Sequence, residues 1–93
     1  VLVPDYEVQS NRKAGRGRFD VAVFPKDTSK TGLLFEFKTA ASEAELAAKA
    51  DEALQQMAER DYLAPFRARE IQQVHQYGVA FCGKQVVLKK MPI

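Results

Sequence analysis

The sequence has one cysteine, Cys82, and one histidine, His75. A single thiol excludes an internal disulfide framework and a cysteine-based zinc site, and it fits a reducing, cytoplasmic setting. A lone histidine without a convergent partner reads as a surface or strand residue rather than a catalytic base. No apolar run approaches the roughly 18 residues of a membrane span, so no membrane partner is expected. The opening Val1-Leu2-Val3-Pro4-Asp5 lacks an initiator Met, a basic n-region and a long apolar h-region. It reads as an excised piece of a longer chain rather than a signal peptide. Gly15 and Gly17 belong to neither GxxxxGK[ST] nor GxGxxG, which excludes a phosphate loop. No internal repeat or low-complexity tract is visible, and a net charge of +2 is too small to declare a nucleic-acid partner.

What is present is an ordinary globular composition, 46% hydrophobic and 28% charged, in 93 residues. That predicts one domain over residues 1–93. The charge is unevenly placed. Arg12, Lys13, Arg16 and Arg18 crowd one short stretch, whereas Ser42 to Asp61 leans acidic. Such clustering points either to an anionic partner at one locus or to a solvated basic loop. Arginine forks match phosphate oxygens, which makes Arg12, Arg16 and Arg18 candidate backbone-phosphate contacts.

Hydrophobic periodicity predicts a strand over Tyr6–Gln9, a loop over Asn11–Gly17 and a strand over Arg18–Phe24. In the last, Phe19, Val21 and Val23 share one face, and Asp20, Ala22 and Phe24 the other. Pro25–Thr31 has turn chemistry, and Gly32–Lys38 is a third strand whose run Leu33-Leu34-Phe35 predicts a central place covered on both faces. Ser42 and Glu45 have capping-box spacing before a helix whose stripe is Leu46, Ala50, Ala53, Leu54 and Met57. The helix should stop near Asp61–Tyr62, ahead of Pro65. Residues 66–70 are ambiguous, a short helical turn being one reading. A strand ending at Cys82 and a closing strand Gln85–Lys89 follow, the whole predicting an α/β or α+β domain with a mixed sheet.

Two charges inside the third strand, Glu36 and Lys38, share a face. If the second and third strands form a hairpin pairing Phe24 with Gly32, Asp20 falls opposite Glu36, with Cβ atoms about 5 Å apart. A slip of one residue would send Asp20 to the other face. Converging carboxylates repel, and Mg²⁺, which takes one or two carboxylates with waters and phosphate oxygens, would resolve the conflict. The carbonyl of Phe37 could supply a further oxygen, and Lys38 could orient a nucleophile or stabilise developing charge. A salt-bridged cluster, with Lys38 neutralising one carboxylate, fits the spacing equally.

Asp20, fifteen intervening residues, then Glu36-Phe37-Lys38 resembles the D…ExK motif of the PD-(D/E)XK nuclease superfamily. The surrounding segments Tyr6–Arg12, Gly17–Asp20, Leu34–Lys38, Ala53–Gln56, Tyr62 and Tyr77–Lys84 strengthen the likeness. They resemble the bacterial domain of that superfamily commonly found C-terminal to an AAA-ATPase-like domain. The resemblance implies a restriction-endonuclease-like αβββαβ core, its first helix absent from this fragment. It also implies metal ligation by Asp20 and Glu36, a catalytic role for Lys38, and a place at the site for Gln56 from the helix motif. Tyr62 matches the same motif and is taken as a nucleic-acid contact. Phe19 stands where the superfamily's name would put proline.

The function implied is a metal-dependent nuclease, using Mg²⁺ or Mn²⁺, acting on nucleic acid with DNA favoured, alongside an ATPase-like domain in the same full-length chain. Two other functions remain open from the sequence. One is a catalytically inactive nuclease-fold module for nucleic-acid binding or interaction, serving the ATPase domain. The other is an oligomerisation domain, a homodimer built on the sheet edge and the apolar final hairpin.

Overall fold

The apolar runs of the sequence become strands of one mixed sheet. The computed structural model describes residues 2–11, 13–14 and 17–92. Strands β1 (Leu2–Val3), β2 (Tyr6–Ser10), β3 (Lys13–Ala14), β4 (Gly17–Arg18), β5 (Val21–Pro25) and β6 (Gly32–Thr39) come first. A 3₁₀ turn (Glu43–Glu45) leads into helix α1 (Leu46–Arg60), then helix α2 (Ala64–Ala68), and strands β7 (Val74–Cys82) and β8 (Gln85–Lys90) follow. The six-stranded sheet has the order β1-β2-β5-β6-β7-β8, while β3 and β4 form a separate two-stranded ribbon. β6 and β7 run parallel and the other neighbours antiparallel. A parallel pair needs a crossover, which α1 and α2 supply.

The β5–β6 register is Val21↔Phe35, Ala22↔Leu34 and Val23↔Leu33. This is the register the hydrophobic pattern predicts, with Asp20 and Glu36 adjoining the last pair at one end although Asp20 itself precedes the ladder. The α1 stripe Leu46, Ala50, Ala53, Leu54 and Met57 is buried. Leu54 and Met57 join Phe19, Ala22, Phe24, Leu34, Tyr62, Phe66 and Ile71 in the main core. Burying each large apolar side chain contributes about 1.5–3 kcal/mol. The helix stops at Asp61, whose left-handed backbone (φ 52°) turns the chain, and Pro65 sits in the first turn of α2, where its missing N–H costs nothing. The ambiguous residues 66–70 are thus helical as far as Ala68.

Five expectations are corrected. The second strand starts at Val21, not Arg18, and residues 11–17, read as loop, include part of the β3–β4 ribbon. Because the chain bends at Asp20 before entering the ladder, alternation does not extend back to Phe19. Its side chain lies in the core with Ala22 and Phe24 rather than across the sheet beside Val21. Ser42 makes no capping bond to backbone; its hydroxyl meets the Glu45 carboxylate at 3.5 Å, and the first turn is 3₁₀. Finally, β6 is covered by helices on one face only. On the other, Phe35, Phe37, Tyr77 and Phe81 shield one another, with ring centroids 5.3 Å apart for Phe35–Tyr77 and 5.8 Å for Phe37–Phe81, and Phe37 stays 39% exposed.

The tightest helix–sheet contact is at Gly78. A Cβ there would fall 2.3 Å from the Ala50 carbonyl oxygen and 3.1 Å from both Ala53 Cβ and Leu54 Cγ. Only glycine facing two alanines lets α1 lie this close to β7. Gly78→Ala should therefore destabilise the fold by about 1–3 kcal/mol. Urea unfolding would read this as a lower midpoint with an unchanged slope.

Candidate active site

Three elements converge on the helix-covered side of β6. Alternation along the strand turns Glu36 and Lys38 toward α1, and the β5–β6 register brings Asp20 beside Glu36. The Asp20 carboxylate is anchored by the neighbouring strand: its Oδ2 accepts the Phe37 N–H at 2.7 Å, just beyond the last β5–β6 pair. It thereby takes the place of the backbone acceptor that the ladder no longer provides. An extended residue turns its N–H and C=O to the same side, so the Phe37 carbonyl also faces Asp20.

Glu36 is the one buried charged side chain among the described residues, 4% exposed. Its hydrogen bonds come from the helical layer. Gln56 Nε2 donates to Glu36 Oε2 at 3.2 Å and to the Tyr62 hydroxyl at 3.0 Å, while Gln56 Oε1 accepts from Lys38 Nζ at 2.7 Å. Both ends of this one amide are thus used, which fixes its orientation. Burial drives the Glu36 pKa up to about 8; a hydrogen bond to Asp20 and its negative charge push the same way, against Lys38 and the Tyr62 hydroxyl. The shift favours the protonated form of Glu36, hydrogen-bonded to Asp20.

Asp20, Glu36 and the Phe37 carbonyl are the groups here that could hold a divalent cation. Two carboxylates and a main-chain carbonyl offer hard oxygen donors. No group of three or more His, Cys, Asp or Glu side chains suited to a metal occurs among the described residues. The donor set therefore suits an ion that keeps waters and takes substrate oxygens, rather than a closed protein cage. The salt-bridged alternative is not the arrangement found: among the described residues Lys38 forms no ion pair, and its ammonium rests on Gln56.

The structure brings Asp20, Glu36, Phe37, Lys38 and Gln56 together. Tyr62 also arrives, but not where a strand of nucleic acid could touch it. It is wholly buried, with its hydroxyl turned inward to Gln56 and Glu36, which corrects its reading as a nucleic-acid contact. Arg18 lies in the ribbon opposite Lys13; Arg12 and Arg16 fall outside the described residues. Glu7, opposite Phe24, is four residues from the Asp20 level, roughly 13 Å along the strand. It is tied to Gln9 and Arg69 and does not join the pair. The sequence offered no sign of Tyr62's inward hydroxyl, since its partners come from two other elements.

A comparison with protein-family models matches residues 2–91 to the PD-(D/E)XK nuclease superfamily. Neither a curated protein nor a solved structure matches the chain significantly.

The raised pKa makes the metal-free fold pH-dependent. Below about pH 4.5, the ordinary value for glutamate, both folded and unfolded chains hold the proton and the contribution is fully present. Between there and about 8 only the unfolded chain ionises, so stability falls by up to about 1.4 kcal/mol per pH unit, and above 8 the loss is complete. Thermal melts in chelator from pH 4.5 to 8.5 should show this decline. In Glu36→Gln it should flatten.

Proposed function

Because the chain belongs to the PD-(D/E)XK nuclease superfamily, we propose that it is a metal-dependent nuclease hydrolysing phosphodiester bonds, with DNA the favoured substrate. The observation that carries the reading is the adjacent pair Asp20 and Glu36, with the Lys38 ammonium on the same face, held by Gln56 and in no ion pair with a described residue. Composition and fold are common to many activities; this constellation is what supports hydrolysis in particular.

Asp20, Glu36 and the Phe37 carbonyl would hold Mg²⁺, with Mn²⁺ meeting the same oxygen donors. When bound, the cation supplies charge at the phosphate and a water of lowered pKa. The chain's own residues do the rest. Glu36, its proton given up to solvent, would serve as one of those ligands. Lys38 presents its ammonium to the attacking water or to a phosphate oxygen, where it stabilises charge that grows in the transition state. Gln56 keeps that ammonium aimed: its carbonyl holds Nζ at 2.7 Å, and its amide is itself locked by Glu36 and Tyr62. Tyr62 is a positioning residue, acting only through Gln56 and Glu36. No described helix is long and apolar enough to cross a membrane. The lone free thiol, Cys82, agrees with a cytoplasmic setting.

The test is cleavage of labelled single- and double-stranded DNA and RNA by the full-length protein, with and without Mg²⁺. Cleavage should require the ion and stop in EDTA. Asp20→Ala, Glu36→Ala and Lys38→Ala should each lower it by about 10²-fold or more. Circular dichroism should show these variants folded, and calorimetry should show saturable Mg²⁺ binding lost in the two carboxylate variants. Undiminished cleavage by Glu36→Ala, or none of any substrate by the wild type, would refute the reading.

A further inference from the structure

At the end of β5 away from the carboxylate pair, a cleft of about 300 Å³ opens between β2, the turn after β5 and the residue that follows α2. Glu7, Phe24, Pro25, Lys26, Thr28 and Arg69 line it. Arg69 is set there with its planar group fixed. The guanidinium carbon lies 3.8 Å over the centre of the Phe24 ring, and Nη1 donates to the Pro65 carbonyl at 3.1 Å. Phe24 belongs to the main core, so this ring is a rigid floor for the cation. The one carboxylate in the cleft holds the arginine loosely: Glu7 Oε1 is 3.5 Å from Nη2, the two side chains being 34% and 35% exposed. An exposed pair of this kind contributes at most about 1 kcal/mol. Glu7 also accepts from Gln9 at 2.6 Å. Lys26 is exposed and forms no ion pair among the described residues. The cleft therefore carries two cations against one carboxylate that has a second partner, a balance that favours a ligand with negatively charged oxygens.

We infer that this cleft is a second phosphate subsite, in which Arg69 and Lys26 hold a backbone phosphate of the strand whose scissile bond lies at Asp20 and Glu36. A guanidinium fork already held flat matches two phosphate oxygens at once, and the Lys26 ammonium adds a point charge beside it. Position supports the same reading. Phe24 is four residues along the chain from Asp20, about 13 Å, or about four nucleotides of axial rise in one strand of a duplex. Between the two places the sheet's inner surface is only partly covered. Helix α1 packs on β6, β7 and β8, and Glu7 and Gln9, which share the inward face of β2, stay partly exposed. A strand lying along β2 thus meets the cleft with one phosphate and the carboxylate pair with another. Such a contact sets register and adds affinity without reading bases.

The proposal rests on the nuclease reading for its substrate, and binding tests it without cleavage. Affinity of full-length Glu36→Gln protein for a labelled 20-nucleotide duplex would be measured in chelator over a salt series. Adding Lys26→Gln and Arg69→Gln should weaken binding at least about 10-fold at moderate salt and reduce the slope of log affinity against log salt by about two. Lys26→Gln alone changes an exposed turn residue outside the core, and should take about half of that slope. Lys84→Gln/Lys90→Gln removes the same charge from exposed positions of the β7–β8 hairpin and should bind like its parent. A melting point lowered by Arg69→Gln with the salt slope unchanged would make that arginine only a tie between β2 and α2, and would overturn the subsite. So would equal weakening by the control pair, or no binding by the parent. Failure of the nuclease reading has a different mark, absent cleavage by wild-type protein whose binding still depends on Lys26 and Arg69.

Discussion

Two carboxylates on neighbouring strands, one of them closed off from water, impose the constraint around which the rest of this molecule is arranged. Asp20 and Glu36 adjoin because the β5–β6 ladder ends beside them, and Glu36 is buried because α1 crosses above it. A buried carboxylate must be hydrogen-bonded, neutralised or paired with a cation. The protein uses the first two at once, through Gln56 and Tyr62 above and a protonated form favoured by Asp20 beside. A third remedy, a cation in place of the proton, is what the proposed chemistry adds. Leaving Lys38 out of the pair matters here, since an ammonium between the carboxylates would satisfy them and remove the reason to bind an ion.

The helical layer reaches this pair through close packing. Gly78 and the small residues Ala50 and Ala53 draw α1 against β7, and Gln56 lies three residues after Ala53, close to the same side of the helix. From there one amide spans Lys38, Glu36 and Tyr62. Tyr62 comes in just after the left-handed turn at Asp61, which ends α1 and directs the next residue inward. The core and the polar network share Tyr62, which lies in the core with Met57, Leu54 and Phe19 and whose hydroxyl accepts from Gln56. Their dependence is mutual: loosening the apolar contact would move the amide that orients the lysine.

The sheet's two faces serve different ends. The inner face carries the main core, the polar pair and a smaller apolar cluster of Leu46, Ala50 and Ala80. The outer face carries aromatic rings that stack on each other, an arrangement that buries part of each ring without a covering layer. On the edge strand β8, Val86 and Leu88 stay more than half exposed, and Lys89 turns to the helical side, where it meets Asp51 at 2.9 Å.

Much of this was legible in the linear sequence, because strands and helices have fixed periods. Alternation of two placed Glu36 and Lys38 on one face, and the turn at Pro25–Thr31 put Asp20 beside Glu36. The 3.6-residue period picked out the buried stripe of α1 without error. Local rules failed where the backbone leaves its period or where the deciding partner is distant in sequence. The bend at Asp20 returned Phe19 to the core, and the ribbon arose inside a stretch too short and polar to carry a strand signal. By itself, then, the sequence determined the main strands and helix α1, the β5–β6 register and the D…ExK set, all consequences of short-range geometry. Only the tertiary structure decided that Glu36 is shut from water, that Lys38 rests on Gln56 instead of a carboxylate, and that Tyr62 turns inward. Burial and hydrogen-bond partnership depend on which distant elements the packing brings together.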